Sequence, residues 1–394
     1  MTILKSNKIV LTIILLVFFV GDNILTTFGI PLPQHKLILL LLCSLSLFKL
    51  KITYREFPQI IHLLVFCFVY TLFKVITGGQ GGNTMMGVMV MLPILVYIAF
   101  RSLEKPKNIL TYKSILYIGY LFECCISIAE RILHMHFFKW QEDIEYALID
   151  FDVTEFRSFG LFGHPLQNAV VVEVFILFIL IYERNIKRKY FLAILGVVAI
   201  FCFNTRAAIV MSSVSVAFYT LYWVRTERVS IHVKMALLIA FVAISAFVYH
   251  MFTQGLIGGR LSSMGLYDED SAGVRIEVWN IFNYYELKDF VFGISEKELV
   301  FLKSRLGLIA VENFWFNWML TYGVVFVVGL VLFYIPVFKK IFSGTSLFTS
   351  MFLTIPFITL ASTNPSLAVS IVPVSSFLLL SYIMPMSNIN NYRQ

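Results

Sequence analysis

Residues 190–224 read YFLAILGVVAIFCFNTRAAIVMSSVSVAFYTLYWV, an apolar and small-residue run interrupted by the tripeptide Asn204-Thr205-Arg206. The flanking stretches, 190–203 and 207–224, each read as a membrane span. A helix of about 14 residues ahead of the tripeptide rises roughly 21 Å at ~1.5 Å per residue. The hydrocarbon core of a bilayer is about 30 Å thick. With the inner end of that helix at the interface, Arg206 lies several ångströms below the outer surface. An arginine at that depth is costly and marks a functional site by default. The alternative is that it snorkels outward or pairs with a helix-end carbonyl.

The same pattern continues along the chain. Twelve apolar stretches stand at about 8–30, 36–49, 58–76, 84–100, 109–132, 166–182, 190–203, 207–224, 234–252, 314–338, 345–361 and 366–386. Two longer loops, 133–165 and 253–313, separate some of them, and no internal repeat, heptad array or low-complexity tract is visible. Composition agrees. Of the 394 residues 59% are hydrophobic and 14% charged, where soluble domains hold about 45–50% and about 25%; mean hydropathy is +0.84. Such a chain is not a soluble enzyme, a nucleic-acid binder or a disordered segment. A dozen spans of roughly 20 residues use about 240 residues and leave about 150 for loops. We therefore expect an all-α, polytopic membrane protein, residues 1–394 forming a single membrane domain, with chemistry confined to loops and helix ends.

Orientation follows from the basic residues. With the N-terminus in the cytoplasm, alternate connectors carry Lys49, Lys51 and Arg55, then Arg101, Lys105 and Lys107, then Arg184, Lys187, Arg188 and Lys189, then Arg225 and Arg228, and later Lys339 and Lys340. External connectors such as residues 78–83 are almost free of Lys and Arg. The net charge of +8 is thus a topological signal of the positive-inside kind. Both termini are expected inside and both long loops outside. Lys5 and Lys8 precede an apolar run without a small-residue cleavage site, so the first helix is expected to be retained. The five cysteines all fall in apolar runs and read as small buried residues.

Positive charge on the external side runs against this bias and needs another reason. Arg157, Arg206, Arg260 and Arg275 are the cases. Arg157 opens Arg157-Ser158-Phe159-Gly160-Leu161-Phe162-Gly163-His164-Pro165, where two glycines and a proline within nine residues indicate a shaped turn leading into a span. Arg275 stands among Asp268, Glu269, Asp270 and Glu277, which offer it simple pairing on a solvated helix. Guanidinium forks match phosphate oxygens bidentately and keep their charge, so several at an outer-leaflet cavity point to an anionic, partly lipid ligand such as a lipid-linked diphosphate. His134 and His136 sit near Glu130 and Arg131 without a third ligand at useful spacing, so no metal is expected.

Three segments carry a resemblance to a known family. The 157–165 run is similar to an Arg-x-x-Gly-x-Phe-x-(His/Asn)-Pro motif at the start of a span. Asn204-Thr205-Arg206-Ala207-Ala208 looks like a Ser-Arg-Gly-type turn between helices. The loop with Ser271, Arg275, Trp279 and Phe292-Gly293 closes on Glu312-Asn313-Phe314-Trp315, similar to a His-Asn-aromatic ending. Over roughly residues 155–335 the chain resembles the bacterial O-antigen polymerase and O-antigen ligase superfamily of membrane glycosyltransferases. Two positions depart from it: Leu166 and Gln167 follow His164-Pro165 where the family often has Asn, and Glu312 stands in place of the loop-ending His. The second departure favours the polymerase branch over the ligase.

The resemblance implies an inverting transfer without metal, nucleotide sugar or other cofactor. The donor is a glycan on undecaprenyl diphosphate, and the acceptor a sugar hydroxyl on another lipid-linked repeat. The setting is the external face of a bacterial cytoplasmic (inner) membrane, with membrane lipid and a chain-length regulator as implied partners and no nucleic acid. Charge builds on the departing diphosphate, so Arg157, Arg206, Arg275 and Arg260 are the residues expected to hold it. Glu312 or His164 would orient or deprotonate the acceptor. The alternatives are a salt bridge for Glu312 and a helix-capping turn for His164. Competing readings are a ligase with the same donor, a flippase for the lipid-linked repeat, and an envelope scaffold. Interrupted helices would favour the flippase.

Overall fold

The computed structural model describes residues 2–30, 32–46, 58–76, 82–103, 108–138, 156–226, 250, 278–306, 311 and 313–390. Of these 84% are helical and none lies in a strand, as expected where lipid leaves backbone groups no partner but their own segment. The first nine helices are α1 (Thr2–Phe18), α2 (Asp22–Thr27), α3 (Gln34–Ser46), α4 (Pro58–Ile76), α5 (Gly82–Leu103), α6 (Ile109–Leu133), α7 (Pro165–Tyr182), α8 (Ile186–Phe203) and α9 (Arg206–Thr226). Further along the chain, after a 3-10 turn at Ile281–Tyr284, come α10 (Leu287–Phe292), α11 (Glu296–Arg305), α12 (Phe314–Ile341), α13 (Leu347–Ser362), α14 (Ser366–Val369) and α15 (Val372–Asn390). The stretch expected at 234–252 lies outside the described residues apart from His250, as do Arg260, Arg275 and Glu312.

Among the described residues four helices, α4, α7, α9 and α12, are long and apolar enough to cross a membrane. α7 is the central one. Asn168 through Leu180 are all buried, and the helix packs against α8, α9, α13 and α15. A helix apolar on every side belongs in such a position. Its neighbours turn apolar stripes outward: Val65, Phe68, Val69 and Leu72 on α4, Val210, Val214, Phe218 and Leu221 on α9, and Val325, Val328, Leu332 and Ile335 on α12 are exposed. These spacings of three and four residues define one face per helix. Water would penalise patches of that size, whereas hydrocarbon accepts them. Polar side chains lie inside: Glu123, Glu173, Asn168, Ser212 and Ser215 are buried. Cys67, Cys124 and Cys202 are buried as expected, while Cys43 and Cys125 are exposed.

Two expected spans are broken. Residues 8–30 divide into α1 and α2, and residues 366–386 into α14 and α15. The α1 end survives because Gln34 reaches back: its Nε2 donates to the carbonyls of Val17 (3.0 Å) and Phe18 (2.7 Å). At the second break the Ser370 hydroxyl accepts from Val372 N at 3.2 Å, and Pro373, early in α15, has no N–H to satisfy.

α12 breaks as well. Gly323 has φ 83, ψ 166 inside it, and the carbonyls this frees are taken by other segments. Leu320 O accepts from Ile294 N at 2.9 Å and from the Tyr285 hydroxyl at 3.3 Å, while the Tyr70 hydroxyl donates to Tyr322 O. Lys74 Nζ donates to Phe292 O at 2.7 Å. The described part of the 253–313 loop is therefore folded onto α4 and α12. A Cβ at Gly323 would collide with the Val291 carbonyl. We expect Gly323→Ala to cost more than ~1 kcal/mol, through a positive φ and a backbone clash together. Gly344→Ala is the control, since φ is +91 there but a Cβ meets nothing within 4 Å. Melting in nanodiscs checks the pair, and equal losses would refute the docking account.

Candidate functional site

Residues 156–164 lead into α7 and are held by side chains of α6. Glu123 and Glu130 stand seven residues apart, two turns on one face. Glu130 Oε2 accepts from Phe159 N (2.7 Å) and Gly160 N (2.9 Å), and its Oε1 from Phe137 N (3.0 Å). Glu123 Oε2 accepts from Leu161 N at 2.7 Å. Between the two carboxylates, Ser127 O accepts from the Ser158 hydroxyl at 2.7 Å, and Arg131 Nη1 donates to Phe156 O at 2.6 Å. On the other side Asn168 Nδ2 donates to Phe159 O and Asn23 Nδ2 to Gly160 O. Gly160 has φ +55, and a Cβ there would strike the Glu123 carboxylate. The glycine lets the backbone close on the acid. Sequence reading missed this clamp, although two carboxylates inside the 109–132 run were a signal for it.

The clamp fixes where Arg157 and His164 stand. Ser158 N donates to Cys202 O at 3.1 Å and Arg157 Nε to Phe203 O at 3.3 Å, so the guanidinium is set against the C-terminal end of α8, where the helix dipole favours a cation. Asn204 (φ 53) ends α8 in the left-handed region, and Arg206 opens α9 two residues later. Arg157 thus bonds to the last residue of α8, three residues ahead of Arg206 in the same α8–α9 connection. α8 has 18 residues, about 27 Å at ~1.5 Å per residue. Arg206 therefore lies about one turn nearer the end of the bundle than counting from residue 190 gives. A cation at the first position of a helix opposes the dipole unless an anion joins it. Beside it the Thr205 hydroxyl is buried without a hydrogen-bond partner among the described residues.

His164 takes the N-cap position of α7. Its Nδ1 accepts from Leu166 N at 3.2 Å, which puts the proton of a neutral ring on Nε2 and makes that nitrogen a donor. Burial, and then the nearby Arg157 guanidinium, push the imidazole down to about 4. His134 and His136 are also accounted for locally: His134 is the left-handed C-cap of α6, and His136 stacks on Phe159 with centroids 3.9 Å apart. Among the described residues no group of three or more His, Cys, Asp or Glu is gathered for a metal. Asn313, next to Glu312, caps α12 through Oδ1 to Trp315 N at 2.8 Å, and Phe314 N donates to Asn364 O beside the α13–α14 turn.

A cavity of about 380 Å³ adjoins this loop. It is bordered by the α1–α2 turn, the start of α3, residues 162–164 and the α14–α15 break. Three interruptions of helical backbone converge on it, the setting in which irregular backbone is tolerated at membrane depth. Asp22, Asn23, His35 and Gln167 line it with His164; sequence reading singled out only the last. No family model matches the chain, and no curated protein matches it.

Two measurements follow from this geometry. Glu130→Ala strands amides of Phe137, Phe159 and Gly160, at ~1–3 kcal/mol for each buried unpaired group, so hydrogen exchange over residues 156–164 should accelerate about tenfold or more. Unchanged exchange would refute the clamp. For His164, the unfolded ring takes a proton as pH falls below 6.5 while the folded ring resists until about 4. Folded stability therefore falls as pH drops through that window. His164→Asn keeps a capping acceptor and should lose less stability than wild type between pH 6.5 and 4, as read by melting curves.

Proposed function

We propose that this chain is a membrane glycosyltransferase that polymerises lipid-linked oligosaccharide repeats, using a glycan on undecaprenyl diphosphate as donor and a sugar hydroxyl of another lipid-linked repeat as acceptor. About twelve spans, cytoplasmic termini and an active site on the external face of the bacterial inner membrane belong to the same proposal. The observation that carries it is the α8–α9 turn, where Arg157 Nε donates to Phe203 O, the Thr205 hydroxyl is buried and Arg206 opens α9, while residues 162–164 of the Arg157 loop line a cavity among interrupted helices. Two guanidiniums and a hydroxyl suit diphosphate oxygens, and they gain most as the glycosidic C–O bond breaks and charge moves onto the leaving group. Arg275 and Arg260 remain proposed contributors, with Glu312 as the base. His164, as an Nε2 donor, would orient the acceptor hydroxyl by donating to its oxygen, while the hydroxyl proton passes to Glu312.

The broken helices at α1–α2 and α14–α15 favour one rival, a flippase for the lipid-linked repeat. The surface-glycan banding pattern of a deletion strain separates the readings. The polymerase reading expects a single repeat on its anchor and no ladder. A ligase deletion would instead accumulate lipid-linked polymer with no repeat on the anchor, and a flippase deletion would leave lipid-linked repeats inside. An unchanged ladder would exclude all three. Complementation with Arg206→Ala or Arg157→Ala should lower polymerisation by about 10²–10³-fold, the usual effect of removing one donor to a developing anion. Arg206→Lys should recover only part of it, since an ammonium keeps the charge but not the fork.

A further inference from the structure

The cavity beside residues 162–164 and the arginine turn differ in chemistry. Arg157 and Arg206 present fixed cations. The cavity wall presents Asp22, Asn23, His35, Gln167 and Ser366, and no Lys or Arg among the described residues lines it. Phosphate oxygens only accept hydrogen bonds, so a phosphate here would face the Asp22 carboxylate with no Lys or Arg between. Asn23 closes the wall behind it: it is 1% exposed and its Nδ2 is committed to Gly160 O. The exposed Asp22 carboxylate and the partly exposed His35 and Gln167 are the side chains a ligand meets, and a carboxylate that can only accept is matched by a ligand hydroxyl. Asp22 Oδ1 accepts from Gln34 N at 2.5 Å, which fixes the carboxylate at the cavity edge. Phe162 provides an apolar wall. The volume of about 380 Å³ falls at the small end of the ~300–1,000 Å³ of ligand pockets.

We propose that this cavity is a binding pocket for an uncharged, hydroxyl-rich ligand, the terminal sugar of the acceptor glycan, with the Asp22 carboxylate and the Gln167 amide oxygen accepting from its hydroxyls. The identification of that sugar as the acceptor's rests on the polymerase reading; the preference for sugar over phosphate does not. Donor diphosphate and acceptor sugar then occupy adjoining sites of opposite polarity, divided by the 156–164 loop that Glu123 and Glu130 hold. The arrangement lets one lipid-linked repeat bind as donor by its diphosphate and a second as acceptor by its sugar end.

Labelling of a cysteine placed in the pocket tests this on the full chain in nanodiscs. His35 lies partly exposed on the cavity wall, so His35→Cys is labelled with a water-soluble maleimide, with wild type as the blank. Gln167→Cys serves as a second position should the first variant fold poorly. The probes are oligosaccharides released by mild acid from the producing strain's own surface polysaccharide, and inorganic pyrophosphate. The oligosaccharide should slow labelling in a saturable way and pyrophosphate should not. Asp22→Asn keeps the acceptor to Gln34 N and should raise the half-protecting oligosaccharide concentration about fivefold, the scale of one hydrogen bond. Protection by pyrophosphate, alone or together with the sugar, overturns the proposal, and so does the absence of protection by the oligosaccharide at both positions. If protection holds but deletion leaves the ladder unchanged, the sugar pocket stands and the polymerase reading falls. A lost ladder without protection gives the reverse.

Discussion

In hydrocarbon a backbone N–H or C=O without a partner costs several kcal/mol, because no water replaces the missing bond. Among the described residues, three departures from helix are matched by specific groups from elsewhere. Gln34 closes the end of α1. Glu123 and Glu130 collect the amides of residues 159–161. Ile294 N and the Tyr70 and Tyr285 hydroxyls take the carbonyls freed at Gly323. The backbone of these three segments is thus held by groups distant in sequence, and their side chains inherit that definition.

The opposite end of the bundle uses the same device. Glu183 follows α7 and is buried, and it accepts from the Tyr117 hydroxyl at 2.9 Å and from Arg184 N and Asn185 N. Lys113 Nζ lies 3.4 Å from it, and Arg188 stands over the Tyr117 ring at 4.7 Å. Carboxylates therefore tie α6 to the chain leading into α7 and to the chain leaving it. α7, with apolar contacts on all sides and no directional bonds along most of its surface, is located by these two ends.

Much of the fold was legible from hydropathy alone, since an apolar run in lipid has few choices but helix. The helices α4, α6, α7 and α9 match their expected stretches within a few residues. The breaks were not legible, because each is stabilised by a partner distant in sequence. Gly21 must be glycine because a Cβ would meet Leu161 O and Phe162, and nothing near residue 21 reveals that. The start of α8 was misplaced for a local reason: the basic turn Lys187–Lys189 looked like a connector, but Asn185 caps it with Oδ1 to two amides, and Lys189 folds inward to the Tyr219 hydroxyl at 2.7 Å. At the site, Arg157, Arg206 and His164 stood out because charge or shape was out of place. Asp22, Asn23 and His35 did not, since short polar residues between two spans look like any external connector. Their meaning depends on a contact across 137 residues, from Asn23 to Gly160.

That contact also bears on why chemistry would gather at this end of the bundle. The loop residue Phe159 touches Glu130 through its amide and His136 through its ring, Gly160 touches Glu130 and Asn23, and Ser158 touches Ser127 and Cys202. Three consecutive residues thereby join α6, the α1–α2 turn and the end of α8. A displacement at the arginine turn must strain the cavity wall, since the connecting backbone has little slack. Coupling of this kind, through a short and closely bonded segment, would hold the proposed diphosphate site and the proposed sugar pocket at a fixed separation, and two substrates bound there would gain the orientation that a bimolecular encounter in the membrane lacks.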